Sequence, residues 1–314
     1  MIFRDIKKAG VLGMNRRIGE YILALNPRSL FPLVDDKIKT FELAQKHDMP
    51  VPHNYLVIDR YGDLKHLKER LQGSDAFAIK PARGAMGNGV LIVHKIDWGN
   101  GSKGSIKFVT SSGEKDLQTI QYHISGILSG LYSLNGMSDR AIIQEKLRNL
   151  PLFEAISGNG IPDIRVIICK GFPVMAMIRL PTTSSRGRAN LHQGAVGCGI
   201  RIGEGKVSHA VHRNRIITDH PDTAYPLKDL EVPFWDRVLE ISAKCYDITG
   251  LGYLGIDIVL DPVKGPLLLE MNARPGLSIQ IANLAGLVPR LEKVNAVSGK
   301  LSPEERIAFA KEAF

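Results

Sequence analysis

The residues best placed to do chemistry lie toward the C-terminal end, in Gly252-Tyr-Leu-Gly-Ile-Asp-Ile-Val-Leu-Asp-Pro-Val-Lys-Gly-Pro-Leu-Leu-Leu-Glu-Met-Asn272. Leu254, Ile256, Ile258 and Leu260 alternate onto one face of a strand, and Leu267, Leu269 and Met271 onto one face of the next. Asp257, Glu270 and Asn272 are left on the opposite faces. A turn from Asp261 to Pro266 pairs Leu260 with Leu267 and sets Asp257 directly across from Glu270. Opposed Cβ atoms lie roughly 5 Å apart, and two like charges there are destabilising unless something neutralises them. A hard cation such as Mg²⁺ does so, with Asp257, Glu270 and the Asn272 amide as oxygen ligands. The alternative is that one acid turns to solvent or meets an arginine such as Arg274.

A second group is Phe77-Ala-Ile-Lys-Pro-Ala-Arg-Gly-Ala-Met-Gly-Asn-Gly89. Lys80, at the end of a strand, can place one positive charge on a polyphosphate while amides of the loop through Gly84, Gly87 and Gly89 cover it. The pattern is not a Walker A loop, and it leads into a strand, which excludes a dinucleotide fingerprint. By itself the loop is a weak signal, since glycine hairpins are more often only turns. Ile142-Ile143-Gln144-Glu145-Lys146-Leu147 is an apolar strand turning polar, either an ordinary buried strand or one that offers backbone groups to a flat base. Asp163 and Arg165 share one strand face. Arg186, Asn190 and His192 bring guanidinium, amide and imidazole together in a loop, although His192 alone suits a structural role. Cys169, Cys198, Cys245, Trp98 and Trp235 read as packing residues.

These groups need elements to position them. Asp35-Asp36 precedes a helix with Ile38, Phe41 and Ala44 apolar, which must stop before Met49-Pro50-Val51-Pro52. Strands are expected at 55–58, 76–80, 90–93 and 141–145, with a short helix at 64–71, a hairpin with Asn100-Gly101 running to Val109, and a helix over 115–134. The second half is strand-rich, at 164–169, 174–180, 195–202, 207–211, 253–260 and 267–272. Between these strands, Phe234, Val238, Ile241, Cys245 and Ile248 form one helical face, with Gly250 placed for a C-cap. Hairpins mixed with helices predict an α+β fold with antiparallel sheets.

The chain has 314 residues, a net charge of +9 and 44% hydrophobic residues, which excludes fibrous and disordered classes. Three scattered cysteines suggest neither a disulfide framework nor a thiolate zinc site. The charged N-terminus and the lack of an apolar run long enough to span a membrane predict a cytoplasmic protein. Between 179 and 215, Arg179, Arg186, Arg188, Arg201, Lys206, Arg213 and Arg215 face a single acid, Glu204. Arginine dominance suits a folded pocket that grips planar anions, the alternative being a solvated basic face. No recognition helix or aromatic-studded sheet is evident, which disfavours nucleic acid.

Taken in order, over about residues 35–288, these pieces resemble the ATP-grasp fold, and within it the RimK-related alpha-L-glutamate ligase-like proteins. The resemblance implies two α+β lobes clasping ATP, at 35–145 with an insertion at 98–138 and at 146–290, between an N-terminal extension (1–34) and a helical tail (291–314). It makes Lys37 and Lys80 phosphate-binding lysines, 84–89 a glycine lid, Gln144, Glu145, Lys146 and Leu147 the adenine hinge, and Arg165 a phosphate-facing arginine. It makes Asp257, Glu270 and Asn272 ligands of Mg²⁺, with Mn²⁺ the alternative ion, and places Arg186, Asn190, His192 and Arg274 near the reacting group. Glu154 and Asp163 compete for the ribose. The implied reaction joins an acidic small-molecule, peptide or protein carboxylate to an amino acid, through an acyl phosphate and at the expense of ATP. RimK-like ligases carry a Rossmann-like domain ahead of this core, which 1–34 is too short to supply. The acceptor site is therefore expected to be open to a macromolecule, completed by a partner protein or second copy, or rebuilt by the insertion. The competing expectations are an ATP-binding regulatory or scaffold subunit without turnover of its own, and a kinase.

Overall fold

Alternating apolar residues on short strands build two antiparallel sheets, one in each of two units. The computed structural model describes residues 8–84, 87–99, 106–133, 136–158 and 160–314. One unit comprises Asp36–Ile38 and Pro52–Leu147; the other comprises Met1–Asp35, Lys39–Val51 and Arg148–Phe314. Among the described residues no helix is long and apolar enough to cross a membrane.

The smaller unit holds β1 (Asn54–Ile58), β2 (Phe77–Pro81), β3 (Leu91–Asp97), β4 (Lys107–Thr110), β5 (Gly113–Asp116) and β6 (Ala141–Glu145), ordered β1-β6-β2-β3-β4-β5. Phe77, Ile79, Val93 and Phe108 pack with Ile120, Ile124 and Ile127, three residues on one face of a helix over Leu117–Leu128. That helix is shorter than the expected 115–134. Residues 113–116 pair with β4 instead, and the Asp116 carboxylate accepts the Thr119 N–H at 2.8 Å as the N-cap. At its far end Gly130 is left-handed, and a Cβ there would meet the Met137 carbonyl. Asn100 and Gly101 lie outside the described residues; β3 and β4, on either side of them, pair antiparallel.

The larger unit holds β7 (Asp163–Cys169), β8 (Phe172–Leu180), β9 (Val196–Arg201), β10 (Lys206–His212), β11 (Arg215–Ile217), β12 (Tyr253–Asp261) and β13 (Gly265–Asn272), ordered β11-β10-β9-β8-β7-β12-β13. Both faces of this sheet are covered. Val166, Ile178, Cys198 and Ile256 share a core with Val238, Leu239, Ile241 and Cys245 of the helix Trp235–Thr249. On the other face Ile167, Cys169, Met175, Met177 and Tyr253 pack with Leu12, Tyr21, Ile279 and Leu291. Burial on both sides explains why every residue of β12 is buried although its side chains alternate.

Three expectations change in this unit. Phe234 is not part of the helical face; it is the left-handed N-cap at φ 58°, half exposed, while Gly250 closes the helix at φ 69° as expected. A further strand, β11, follows a tight turn whose Arg213 and Asn214 are both left-handed (φ 49° and 62°), a geometry that asparagine favours and arginine conceals in a sequence. In the hairpin Leu260 pairs with Pro266 and Val259 with Leu267, one residue off the expected register. A bulge between Asp257 and Ile258 then restores the expected Asp257–Glu270 pair.

Candidate functional site

In the larger unit the sequence-predicted acids and Arg165 form a row across three strands. Asp257 on β12 is flanked by Glu270 on β13 and Arg165 on β7. Arg165 Nε and Nη2 donate to the two Asp257 oxygens at 2.7 and 2.5 Å, a bidentate fork. Arg179, one strand further, donates through Nη2 to Asp257 Oδ2 at 2.9 Å and clasps both oxygens of Asp163. Two acids and two arginines thus balance charge on a buried face. Burial resists ionisation of Asp257, but Arg165 and Arg179 outweigh it and hold its pKa down at about 2. Asp163, with a single arginine, is pushed up to about 6 by burial, Arg179 opposing the rise and the Asp257 charge adding to it.

The arginine that meets Asp257 is therefore not Arg274. Arg274 pairs with Asp35 at 2.5 Å and lies over the Phe31 ring, while its N–H is accepted by Asn272 Oδ1 at 2.8 Å. Asp163 has both oxygens on Arg179, whereas Glu154 is exposed on the helix Pro151–Ser157. Arg179 was visible in the sequence only as one charge among seven. Its sign is legible there, but its pairing with Asp163 requires β7 and β8 to be in register.

The donor set offered to a cation is all oxygen, the chemistry that Mg²⁺ requires. Among the described residues no three His, Cys, Asp or Glu side chains converge. The third oxygen of the expected set, Asn272 Oδ1, accepts the Arg274 N–H. A cation at Asp257 replaces a guanidinium hydrogen bond, one positive charge for another, so the residues fit the ion once an arginine gives way.

Arg186, Asn190 and His192 follow in the loop after β8. Arg186 is exposed and left-handed at φ 54°. The Asn190 side chain accepts the His192 N–H at 3.0 Å, building the short turn Leu191–Gln193. The loop is tied down by Thr182 Oγ1 donating to the Gly194 carbonyl at 2.8 Å and by the buried His220, whose Nε2 reaches the Pro181 carbonyl at 3.0 Å. The basic residues of 179–215 do not form one pocket. Arg201 pairs with Glu204 and Asp229, and Arg213 and Arg215 sit exposed at the β10–β11 turn.

In the smaller unit Phe77 and Ile79 point into the core, so Lys80 projects from the opposite sheet face. Its Nζ donates to Gln144 Oε1 at 2.7 Å, and Gln144 Nε2 donates to Asn54 Oδ1 at 2.7 Å. Gln144 thus contributes its buried side chain, and Asn54, unremarked in the sequence, completes the relay. Glu145 Oε1 accepts the His53 N–H at 2.7 Å, fixing the strand end from which Lys146 and Leu147 continue. Lys37 Nζ donates to the Gly84 carbonyl at 2.8 Å. Gly84 itself bridges Ser133, and a Cβ on it would sit 2.3 Å from the Pro81 ring. Gly87 and Gly89 are left-handed at φ 73° and 74°; Ala85 and Met86 lie outside the described residues. The buried Asp36 accepts from Arg140 at 2.6 Å and caps Ile38, holding the base of the same loop.

A family model for sugar-transfer associated ATP-grasp proteins matches residues 16–296, and the chain belongs to that family. Its two antiparallel sheets with flanking helices are the α+β architecture expected of an ATP-grasp fold. No curated protein sequence matches the chain. Among solved structures it is similar to the ATP-grasp ligase PsnB with a minimal precursor (14% identity, TM-score 0.45), covering 87% of this chain and 63% of PsnB, so the chain spans less than two thirds of that protein. It is also similar to D-alanine–D-alanine ligase from Bacillus anthracis with ATP (14% identity, 92% and 68% covered, TM-score 0.45). A third is the D-cycloserine synthetase DcsG (15% identity, 92% and 73% covered, TM-score 0.43).

Proposed function

We propose that the protein is an ATP-dependent carboxylate–amine ligase, with glutamate as the first amino acid to try. The observation that carries this reading is the row Glu270–Asp257–Arg165, a buried acid between a half-buried acid and a forked arginine on adjacent strands of a chain in an ATP-grasp family. In this reading 35–145 and 146–290 are the two lobes, and the setting is the cytosol, which suits three free, buried cysteines.

Lys80, held by Gln144, and Lys37 supply positive charge to the polyphosphate, and the Gln144–Leu147 segment receives the base. Arg165, Arg186 and His192 serve the transferring phosphate and the acceptor, Asn190 shapes their loop, and Arg274 orients Asn272. Asp257, Glu270 and Asn272 would hold Mg²⁺, which when bound offsets phosphate charge. An acceptor carboxylate oxygen attacks the γ-phosphorus and ADP leaves; the amine nitrogen then attacks the acyl carbon, loses a proton and expels phosphate. No protein nucleophile is needed, because positioning and electrostatics supply the rate.

One observation favours a second reading, an ATP-binding regulatory subunit. Both Asp257 oxygens are already occupied by guanidinium groups, an arrangement that also serves a purely structural sheet. The two readings separate on Mg-dependent release of ADP and phosphate, measured with a panel of amino acids on the native chain and on Asp257→Asn with Glu270→Gln. A ligase releases both products with particular amino acids and loses that release in the double variant. Binding of ATP without stimulated release identifies the regulatory subunit, and ADP release with a phosphorylated acceptor but no amide identifies a kinase.

A further inference from the structure

We propose that a groove on the outer side of the helix Leu117–Leu128 is a binding site for a saccharide bearing a carboxylate, such as a uronic acid. The cavity measures about 460 Å³, within the roughly 300–1,000 Å³ typical of small-molecule clefts. Because Ile120, Ile124 and Ile127 turn toward the sheet, Thr119, Tyr122, His123 and Ser129 are left to line it. Lys80 projects from the other face of that sheet, so the groove is separate from the lysine assigned to ATP.

The lining is chemically specific. Tyr61 and Tyr122 are 57% and 81% exposed, and Tyr132 is half-buried beside them. Such exposure gives the first two rings little part in the core and leaves their faces open. A pyranose has an apolar C–H face, which an aromatic ring covers, and a polar edge, which the Thr119 and Ser129 hydroxyls and the phenols can meet. Among the described residues Lys115 is the lone Lys or Arg in the lining, and it supplies the counter-charge for a carboxylate. His123 is fixed: its Nε2 meets the Gly89 carbonyl at 3.0 Å, its ring lies 5.5 Å from that of Tyr132, and burial lowers its pKa, favouring the neutral imidazole. Tyr132 and His123, which line the groove, both touch Gly89, where an added Cβ would fall 2.5 Å from Tyr132 Cγ. Gly89 is therefore a natural reporter of occupancy.

The test is an NMR titration of the full chain without nucleotide, using glucuronate, N-acetylglucosamine and the open-chain polyol sorbitol. The proposal expects glucuronate to shift the Gly89, Tyr122 and His123 signals and to bind more tightly than N-acetylglucosamine, with sorbitol inert. Tyr122→Ala should weaken both sugars about tenfold, the scale of one aromatic contact. Lys115→Gln should remove only the preference for glucuronate. Tyr122 is so exposed that its loss should leave the unfolding curve in place. Absence of shifts with either sugar, equal effects of sorbitol, or unchanged affinity in Tyr122→Ala overturns the site. Nucleotide is left out, so these outcomes stand apart from success or failure of the ligase reading.

Discussion

Arg179 serves two acids at once, and its removal is more informative than that of either. Arg179→Met leaves Asp163 with no guanidinium and Asp257 with one, on a face nearly closed to water. Breaking a buried pair by deleting one partner typically costs about 3–5 kcal/mol, so the unfolding midpoint in urea should fall by that equivalent. Arg165→Lys keeps the charge but loses the fork, and should cost clearly less. Asp257 and Asp163 contribute to the pH dependence with opposite signs, since Asp257 is held below the usual carboxylate range while Asp163 is pushed up to about 6 and opposes folding as the pH rises through that range. Asp257 titrates at about 2 in the folded chain against roughly 3.9 unfolded, so its stabilising contribution is complete above about pH 4 and is lost as the pH falls toward 2. In Mg-free buffer, the difference between the acid unfolding curves of the native chain and Asp257→Asn should show that slope. The Asp257–Glu270 pair was legible because strand alternation carries it. The arginines on Asp257 were not, since Arg165 lies 92 residues away and meets it only through the β7–β12 register.

At the scale of elements, the hairpin shows both the strength and the limit of alternation. The expected turn was one residue off, and a bulge cancelled the error, so the pair was right through a register that was wrong. Bulges and short strands such as β11 depend on left-handed or irregular backbone, which composition does not announce. The glycine loop is the element where sequence and structure agree on residue type for a testable reason. Gly89 combines φ +74° with direct contact to the Tyr132 ring. Gly89→Ala should therefore destabilise the smaller unit by about 1–3 kcal/mol in denaturant unfolding. Part of that loss should be recovered when Tyr132→Ala is added, and a double-mutant cycle separates the steric share from the backbone share.

Across the whole molecule, the two compact units interleave along the chain. Residues 39–51, adjacent in sequence to the first sheet, pack with the larger unit, while 36–38 stay with the smaller one. The net charge of +9 gave no location, because Arg179 and Arg201 are consumed in ion pairs. The central proposal is that Lys80 and the acid row each contribute to Mg-ATP binding. Calorimetric titration with ATP, with and without Mg²⁺, on the native chain, Lys80→Met, and Asp257→Asn with Glu270→Gln tests it most directly. The account predicts that the native chain binds ATP and that Mg²⁺ tightens binding. Lys80→Met should weaken binding in both conditions, and the double acid variant should lose only the Mg²⁺ enhancement. A native chain that binds no ATP, or binding that neither variant changes, would contradict it.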